Sequence, residues 1–297
     1  MSLYKLTPNG VETRLFDLRH TLESAQPLTF FSDYHERKGT LSYVADKRII
    51  DTKFSGTADA GRFTIKGSAL AAKKKDILHR FRLTDDMEDI YSRIITDQFM
   101  QDAVRNYRGM RLTINDPWET TLCYIVSQYN NVKKIRGTVL KIINRFGTEI
   151  IEGKKTARSF PTSEELADAT ERDFRECGAG FRAKYLKSAA DFCTNNLNLY
   201  KLQNKGYAEI KESLMEIDGV GDKVADCIAL LGYGKSEAFP IDVWVKRTLE
   251  RVYFKGKDKK IKYLHKFAEH KWGNDMGYAQ QYLFWQGRQM EKQNVRL

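Results

Sequence analysis

The sequence contains few cysteines, few prolines and no long apolar run. The cysteines are widely spaced and form no C-x-x-C pair, which argues against a zinc ribbon, a clustered iron–sulfur site and a secreted disulfide framework. They are Cys123, Cys177, Cys193 and Cys227. No apolar run approaches the length of a membrane span, and the first five residues lack the layout of a signal peptide. We therefore expect reduced thiols, a cytosol-like compartment and no membrane partner.

The chain also lacks the features that separate loosely tethered domains. It has only five prolines, no Gly/Ser-rich linker, no internal repeat and no low-complexity tract. Its 297 residues are too many for one ordinary domain, so we expect two or three units that pack directly against each other. A hydrophobic content of 41% with 30% charged residues is typical of a globular protein and not of a disordered one.

Positive charge is in excess. Lysine and arginine number 50 against 39 acidic residues, which gives a formal net charge of +11 and an isoelectric point of about 9.3. A polyanion such as nucleic acid is the simplest partner for such a surface, because each neutralised phosphate releases counterions. An ordinary basic surface is the alternative, and charge alone does not decide between them.

The distribution of strand and helix patterns predicts an α+β fold. Residues from about 25 to 70 predict an antiparallel meander, because short runs of β-branched and aromatic residues alternate with turn-like segments. The predicted strands lie at 28–31, 41–44 and 62–65. Helical patterns begin near Thr84, the expected N-cap of a helix that carries Met87, Ile90, Tyr91, Ile94, Ile95 and Phe99 on one face. We therefore expect a small N-terminal antiparallel β unit over 1–83 and a large all-α body over 84–297.

Capping signals place several helices within the predicted α body. Asn115-Asp116-Pro117 predicts a helix start, and the pattern over 132–146 predicts a helix that ends at Gly147. Further helices are expected near 163–169, 180–194, 207–216, 222–232, 242–253, 259–270 and 276–290.

Two of these helices flank a Gly-Val-Gly turn and predict a hairpin over about 208–232. Gly219 and Gly221, two residues apart, allow a tight turn and the close approach of another backbone. The turn leads into a helix start, whose free N–H groups form an anion site suited to a DNA phosphate. A plain helix–helix corner is the alternative for this fragment alone.

Lys223 lies in the first turn of the second hairpin helix. The helix dipole is positive there and disfavours a cation, so we expect a depressed pKa for Lys223. A neutral amine is a nucleophile, whereas an ammonium is not. An ordinary surface lysine on a DNA-facing helix is the alternative.

Asp242 follows Pro240 at the expected start of another helix. It has a structural interpretation as an N-cap and a functional one as a carboxylate that stabilises positive charge on a sugar. The two roles are compatible, because capping would fix the side chain in place.

Two pairs of residues spaced four apart predict the walls of a pocket. Lys223 and Cys227 share one helix face, and Gln280 and Phe284 share another. Facing each other, they would form a slot with a nucleophile, a thiol, an amide and an aromatic ring. Simple core packing is the alternative for Cys227 and Phe284.

The segments 217–228 and 239–243 resemble the helix-hairpin-helix plus Gly/Pro-Asp signature of base-excision glycosylases, and within that superfamily the 8-oxoguanine DNA glycosylase/lyase family. The resemblance implies a helix-hairpin-helix glycosylase body that binds double-stranded DNA containing 8-oxoguanine opposite cytosine. It implies a bifunctional enzyme that flips the base, displaces it with Lys223 assisted by Asp242, forms a Schiff base and nicks the strand by β-elimination.

Further segments at 24–27, 130–135, 180–185 and 277–284 are similar to the same family. The resemblance implies that Asn130 and Asn131 fill the gap left by the flipped base and that Phe181 is a wedge in the duplex. It implies that Arg182 reads the opposite cytosine, with Lys134 in place of a second arginine of this kind. It also implies contacts to the DNA backbone by Gly219, Val220 and Gly221 and by Trp244, which replaces a histidine. Lysine offers no bidentate fork, so we expect relaxed opposite-base specificity.

For the base itself, the resemblance implies that Cys227 and Phe284 sandwich the flipped ring and that Gln280 bonds its Watson–Crick edge. The backbone carbonyl of Ala25 would accept the extra N7–H of 8-oxoguanine, at a position where the family usually has glycine. The resemblance also implies a monovalent cation bound by carbonyls at the hairpin, and we expect no other cofactor or metal. A monomer is expected, located in the cytoplasm or nucleoid of a prokaryote or the nucleus of a eukaryote.

Two other functions stay open at this point. The first is a glycosylase of the same superfamily with another damaged-base substrate. Alkylation-specific members lack the catalytic lysine, and no cysteine follows Cys227 to form the iron–sulfur cluster of other members. The second is a non-catalytic helix-hairpin-helix DNA-binding protein, which has no need of Lys223, Asp242 and the Gln280/Phe284 pair together.

Overall fold

The computed structural model describes residues 3–292. Its N-terminal part contains one six-stranded antiparallel sheet, with the spatial order β1-β2-β6-β5-β4-β3. The strands are β1 (Tyr4–Thr7), β2 (Gly10–Thr13), β3 (Asp33–His35), β4 (Thr40–Ala45), β5 (Arg48–Gly56) and β6 (Gly61–Ile65).

Alternation of buried and partly exposed residues explains how this sheet packs. Leu41 and Tyr43 of β4 point into the N-terminal core, as does Phe63 of β6, while the residues between them are more exposed. Such a period of two is what a half-buried strand requires. Phe16 and Phe81 pack on Phe63 with ring centroids 5.2 and 5.3 Å away, so the sheet has an aromatic core of its own.

The structure corrects the predicted meander in two places. The segment 28–31 is a short helix and not a strand: Pro27 already has helical backbone angles, and the Thr29 hydroxyl donates to the Leu22 carbonyl. The hairpin β1–β2 lies outside the predicted range and adds to the sheet through pairing of β2 with β6.

Fifteen helices follow or interrupt these strands within residues 3–292. They are α1 (Leu18–Glu23), α2 (Leu28–Phe31), α3 (Leu70–Arg80), α4 (Met87–Ile94), α5 (Gln98–Asn106), α6 (Pro117–Ser127), α7 (Val132–Phe146), α8 (Ser163–Ala167), α9 (Glu171–Glu176), α10 (Ala183–Asn195), α11 (Tyr207–Met215), α12 (Asp222–Gly232), α13 (Val243–Tyr253), α14 (Ile261–Trp272) and α15 (Met276–Lys292).

Capping explains where several of these helices begin and end. Asp116 caps α6, with its carboxylate accepting from the backbone N–H of Trp118 at 2.8 Å, and α7 ends at Gly147, so both predictions are confirmed. Thr84 was the wrong N-cap for α4. Asp86 caps that helix and accepts from two backbone N–H groups, because a carboxylate also favours the positive helix terminus.

Two residues predicted on the face of α4 therefore lie beyond it. Ile95 is the C-cap of α4, and Phe99 belongs to α5. The continuous helix expected from Thr84 is in fact two short helices, because Asp97 caps a new one by accepting from the Met100 N–H at 3.0 Å.

The α+β fold class is confirmed, with one addition to the helical body. A hairpin of β7 (Glu149–Glu152) and β8 (Lys155–Arg158) projects from it toward the N-terminal sheet. Glu152 contacts the Lys73 ammonium at 2.5 Å and accepts from the Ile49 N–H at 3.2 Å, so this hairpin joins the two parts. The domain boundary at 83/84 stays a prediction.

The two parts are held in a fixed orientation by Arg111. Its guanidinium is buried and donates to the backbone carbonyls of Arg14, Leu15 and Asp85 at 3.0–3.1 Å. The bonds to Arg14 and Leu15 cross between the two parts, so separating the parts would break both. Over residues 3–292, no helix is both long and apolar enough to cross a membrane.

Candidate active site

A cavity of about 280 Å³ opens where the central helices α6 and α12 meet the start of α13, helix α15 and the turn at 24–26. Helix α12 is buried from Val224 onward, so it holds its first turn rigidly at the cavity wall. The predicted site residues that line the cavity are Ala25, Asn130, Asn131, Lys223, Cys227, Asp242, Trp244, Gln280 and Phe284.

Lys223 lies in the first turn of α12, which Gly221 precedes as the N-cap residue. Its ammonium is 5.3 Å from the centre of the Tyr124 ring and forms no ion pair with any carboxylate of residues 3–292. Burial lowers the pKa of Lys223, but the Cys227 sulfur and the Asp242 carboxylate raise it, and the net pKa lies above its usual value. The predicted depressed pKa is therefore wrong for the DNA-free protein.

Asp242 is the N-cap of α13, as predicted. Its carboxylate accepts from the Val245 backbone N–H at 2.8 Å, which fixes the side chain at the cavity wall. Burial raises the pKa of Asp242, while the Val245 N–H and the Lys223 ammonium lower it; burial prevails. Buried opposite charges that stabilise each other in one cleft are typical of functional sites.

The two pairs of residues spaced four apart line the same cavity, one pair on α12 and the other on α15. Cys227 is buried, and burial raises the pKa of its thiol to about 11, so it is a neutral thiol at physiological pH. Gln280 is buried yet has no hydrogen-bond partner for its amide within the described chain, so this amide is available to a ligand. Phe284 is partly exposed on the same face. The tertiary structure therefore brings together the slot that spacing predicted.

The turn at 24–26 is anchored from two sides. The buried amide of Gln26 donates to the Arg111 carbonyl at 2.8 Å and accepts from the Thr113 N–H at 2.7 Å. Gln281 of α15 donates to the Ser24 carbonyl at 2.9 Å. Between these anchors, Ala25 has a φ of +60°, the left-handed conformation that favours glycine.

Replacing Ala25 with glycine is expected to stabilise the protein. The left-handed backbone disfavours a Cβ, and the extra flexibility of glycine in the unfolded chain offsets part of the gain, so Ala25→Gly should raise the free energy of unfolding by about 0.5–1 kcal/mol. Urea unfolding measures this. Ala69 also has a positive φ, +53°, but lies outside the cavity. Ala69→Gly is therefore a matched control that measures the effect of the same backbone strain away from the cavity. A lower free energy of unfolding for Ala25→Gly would contradict the strain.

The hairpin between α11 and α12 lies outside the cavity. Gly219 has a φ of +85°, and a Cβ there would lie 2.6 Å from Cγ of Tyr185. Its carbonyl accepts from Nε2 of Gln128 at 3.0 Å, which ties the hairpin to the α6–α7 loop. Val220 is buried, whereas a Cβ on Gly221 would meet nothing within 4 Å. The contacts of Gly219 and the burial of Val220 therefore hold the turn in place, whereas the space around Gly221 is open.

The other residues predicted to contact DNA differ in how exposed their side chains are. Phe181 and Lys134 are exposed, and Trp244 is partly exposed. Arg182 is only 8% exposed, and its guanidinium donates to the backbone carbonyls of Gln128 and Tyr129. The free guanidinium that a cytosine contact requires is therefore absent from this DNA-free structure.

Sequence reasoning did not single out Tyr124, Gln281 and Arg288, which also line the cavity. Arg288 lies four residues after Phe284 and stacks over its ring at 5.9 Å, so extending the spacing of four along α15 would have found it. Burial lowers the pKa of Arg288, and the Asp242 carboxylate raises it; burial prevails. No local signal marks Tyr124, since it lies in a helix buried on all sides.

Two family models match nearly the whole chain. Residues 122–274, half of the chain, match the HhH-GPD superfamily of base excision DNA repair proteins. Residues 10–121 match the N-terminal domain of 8-oxoguanine DNA glycosylase. The first match includes the hairpin, Lys223 and Asp242, and the second includes the turn at 24–26.

Individual relatives agree with these models. A probable N-glycosylase/DNA lyase of Methanothermobacter thermautotrophicus is 29% identical over 71% of this chain and 73% of its own. The 8-oxoguanine glycosylase/lyase of Clostridium acetobutylicum, solved with double-stranded DNA containing cytosine opposite 8-oxoguanine, superposes with a TM-score of 0.86 and 28% identity over 99% of this chain and 100% of its own. MBOgg1, solved with a low-affinity DNA ligand, superposes with a TM-score of 0.87 and 33% identity over 97% of this chain and 98% of its own. The chain therefore belongs to the HhH-GPD superfamily of base excision DNA repair proteins, and within it to the 8-oxoguanine DNA glycosylase family.

Proposed function

We propose that the chain is a bifunctional DNA glycosylase and abasic-site lyase that excises 8-oxoguanine from double-stranded DNA. The observation that carries the proposal is the placement of the Lys223 amine and the Asp242 carboxylate in the lining of one cavity. The similarity to the Clostridium acetobutylicum enzyme over the full length supports the substrate. A repair enzyme acts where genomic DNA is held, so we place it in the nucleoid or cytoplasm of a prokaryote or the nucleus of a eukaryote, as a monomer.

Catalysis would begin by turning the damaged nucleotide out of the duplex, because a stacked base hides its glycosidic carbon. Lys223 would lose its proton and attack C1′. A bond forms between Nζ and C1′ as the C1′–N9 bond breaks, and the base leaves with the electron pair and takes up a proton. The raised pKa of Lys223 means that the amine carries this proton at neutral pH, and the proton that it gives up balances the one that the departing base takes up.

Asp242 would act on the sugar and not on the base. Positive charge develops on the deoxyribose ring as the glycosidic bond breaks, and a nearby fixed carboxylate stabilises it without reorganisation. The N-cap bond to Val245 at 2.8 Å holds the carboxylate in place.

The covalent product would account for the lyase activity. Ring opening of the sugar converts the Lys223 adduct into a Schiff base at C1′. This imine acidifies the C2′ proton, and its loss expels the 3′ phosphate by β-elimination. The strand is then nicked on the 3′ side, and hydrolysis of the imine frees Lys223.

Base recognition would use the two walls of the slot. Cys227 and Phe284 line the cavity together with the Gln280 amide, which has no partner in the described part of the chain. A flipped purine between them would stack on the ring and the sulfur and satisfy the amide with its Watson–Crick edge. The Ala25 carbonyl, on a turn anchored from both sides, would accept the N7–H that distinguishes the lesion.

The hairpin would bind the DNA backbone through Gly219, Val220 and Gly221. Its turn leads into the N-terminus of α12, where unpaired N–H groups favour a phosphate. Carbonyl oxygens of the same turn suit a monovalent cation of the kind that the family resemblance implies, and such an ion would add a positive charge next to the phosphates. Backbone oxygens of the turn would be its ligands.

The two hairpin glycines are expected to respond differently to alanine. Gly219→Ala combines a positive φ with a clash against Tyr185, so the free energy of unfolding should fall by about 2–4 kcal/mol. Gly221 has an extended backbone and open space, so Gly221→Ala should change stability by less than about 0.5 kcal/mol but weaken DNA binding about tenfold, because the methyl lies where the phosphate approaches. Urea unfolding and fluorescence anisotropy separate the two effects, and equal DNA affinity for Gly221→Ala would argue against this contact.

The proposed function is tested by borohydride trapping on a duplex with one 8-oxoguanine opposite cytosine. We expect a covalent protein–DNA adduct, seen as a slower band in denaturing electrophoresis, because borohydride reduces the Schiff base. An undamaged duplex with guanine at the same position is the control. Tight binding of the damaged duplex without any adduct would instead support a non-catalytic DNA-binding protein, and an adduct with other oxidised purines only would indicate a different glycosylase.

A further inference from the structure

The most exposed aromatic ring of the chain's described part lies beside the proposed DNA wedge. Tyr129, in the loop between α6 and α7, is 96% exposed, and Phe181 is 52% exposed. Their ring centroids are 6.4 Å apart with the planes tilted by 58°. Burying a tyrosine side chain normally stabilises a fold, so a ring left almost wholly in solvent contributes nothing to this one.

The backbone holds this exposed ring in a strained position. Tyr129 has a φ of +48°, in the left-handed region that costs a bulky residue about 1–2 kcal/mol. Such strain persists only where surrounding contacts enforce it, and it is concentrated at functional sites. Here the enforcing group is Arg182, whose guanidinium donates to the Tyr129 carbonyl at 3.0 Å and to the Gln128 carbonyl at 2.6 Å.

Arg182 supports the second ring as well. Its guanidinium carbon lies 4.4 Å from the centre of the Phe181 ring, a cation–π contact that orients this ring. One buried arginine therefore positions both exposed aromatics. Its own donors are used within the protein, which makes it a positioning residue in this structure.

The other polar side chains of the loop are also occupied. Asn130 donates to the Val126 carbonyl at 3.1 Å, and Asn131 caps α7 by accepting from the Lys134 N–H at 3.0 Å. Neither asparagine is free to fill a gap in a duplex without giving up a bond. The Tyr129 side chain, in contrast, forms no hydrogen bond within residues 3–292 and is 96% exposed.

We propose that Tyr129 is a second wedge residue, which enters the duplex together with Phe181 and stacks on the base left unpaired when the damaged nucleotide is turned out. The proposal rests on the proposed glycosylase function. The loop is correctly placed, since Gln128 contacts the phosphate-binding hairpin while Asn130 and Asn131 line the active-site cavity. Stacking on an aromatic ring tolerates every base, so this wedge holds the orphaned base without identifying it.

The test uses a duplex in which 2-aminopurine lies opposite a tetrahydrofuran abasic-site analogue, which the lyase cannot cleave. Stacking of 2-aminopurine on an aromatic ring quenches its fluorescence. We expect the wild-type protein and Tyr129→Phe to quench it equally. Tyr129→Ala should lose most of the quenching and bind this duplex about 5–150-fold more weakly, since stacking contributes about 1–3 kcal/mol per base.

Tyr200→Ala is the matched control. Tyr200 is also an exposed tyrosine, at 60%, but it lies beside Asp116 at the opposite end of α6, about 16 Å along the helix. The Tyr200→Ala variant should leave the quenching of 2-aminopurine and the affinity for this duplex unchanged. Because Tyr129 is almost fully exposed, its truncation should leave the thermal unfolding midpoint unchanged, which separates stacking from a structural role.

The opposite base provides an independent test. Excision of 8-oxoguanine by Tyr129→Ala, measured opposite cytosine, adenine, guanine and thymine, should slow by similar factors in all four duplexes. Unchanged quenching and affinity in Tyr129→Ala, or a loss confined to cytosine, would overturn the proposal. A wild-type protein that forms no borohydride adduct with 8-oxoguanine DNA would overturn the proposed function, while the binding measurements would still decide whether Tyr129 stacks.

Discussion

Lys223→Gln is expected to abolish both base excision and strand nicking, with a loss of at least about 10³-fold in each. An amide nitrogen has no lone pair available for attack on C1′, so neither the covalent adduct nor the Schiff base can form. The fold should be unaffected, because glutamine keeps most of the chain length and Lys223 forms no ion pair among residues 3–292. Single-turnover kinetics on 8-oxoguanine DNA and borohydride trapping measure the loss.

Lys134→Gln provides a control for charge at the same DNA-facing surface. Lys134 is exposed on α7 and does not line the cavity, so its loss should weaken DNA binding modestly and leave the trapped adduct intact. Strand nicking that persists in a clean Lys223→Gln preparation would rule out Lys223 as the nucleophile. Binding that is lost in both variants would point to a shared electrostatic role for the two lysines.

Asp242→Asn is expected to slow base excision by about 10²–10³-fold while leaving the fold and DNA binding largely intact. Asparagine caps helices as well as aspartate does, so the bond from the Val245 N–H survives. The negative charge that stabilises the cationic sugar is removed. The loss should therefore appear in the single-turnover rate constant and not in the dissociation constant.

Asp242→Ala separates the two roles of this residue. It removes the charge and the cap together, so the free energy of unfolding should fall by about 1 kcal/mol in addition to the loss of activity. The difference in stability between the alanine and asparagine variants, from urea unfolding, measures the cap. An Asp242→Asn enzyme that excises the base within threefold of the wild-type rate would show that the carboxylate acts only as a cap.

Local signals were sufficient for α7 and α12, which carry their own start and stop, but not for α4, which Asp86 caps in place of the predicted Thr84. Helix α7 was predicted from Val132 to Phe146 and is found there, between the Asn131 cap and Gly147. Helix α12 likewise has its predicted bounds, Asp222–Gly232, because the preceding Gly221 provides the break. The stopping residues act within one turn of the helix, so their effect does not depend on the rest of the fold.

Predictions failed where contacts between distant segments decide the structure. The apolar run at 28–31 suits a strand by composition, but it forms a helical turn that packs on α7. The hairpin β7–β8 has weak strand signals of its own and is stabilised by the bond between Glu152 and the buried Lys73. Such long-range contacts override weak local propensities.

The sequence by itself determined the chemistry of this protein: a lysine at a helix start, a capping aspartate and two pairs of residues at helical spacing, in a pattern shared with one glycosylase family. Only the tertiary structure decided the environment in which that chemistry acts. Burial lowers the pKa of Lys223, while Cys227 of the same helix and the Asp242 carboxylate, which comes from another helix, raise it. Arg182 is occupied by carbonyls more than 50 residues away along the chain, and Tyr129 is left exposed as a result. Spacing along one helix is a local property, whereas burial and charge around a side chain depend on which distant segments the fold brings beside it.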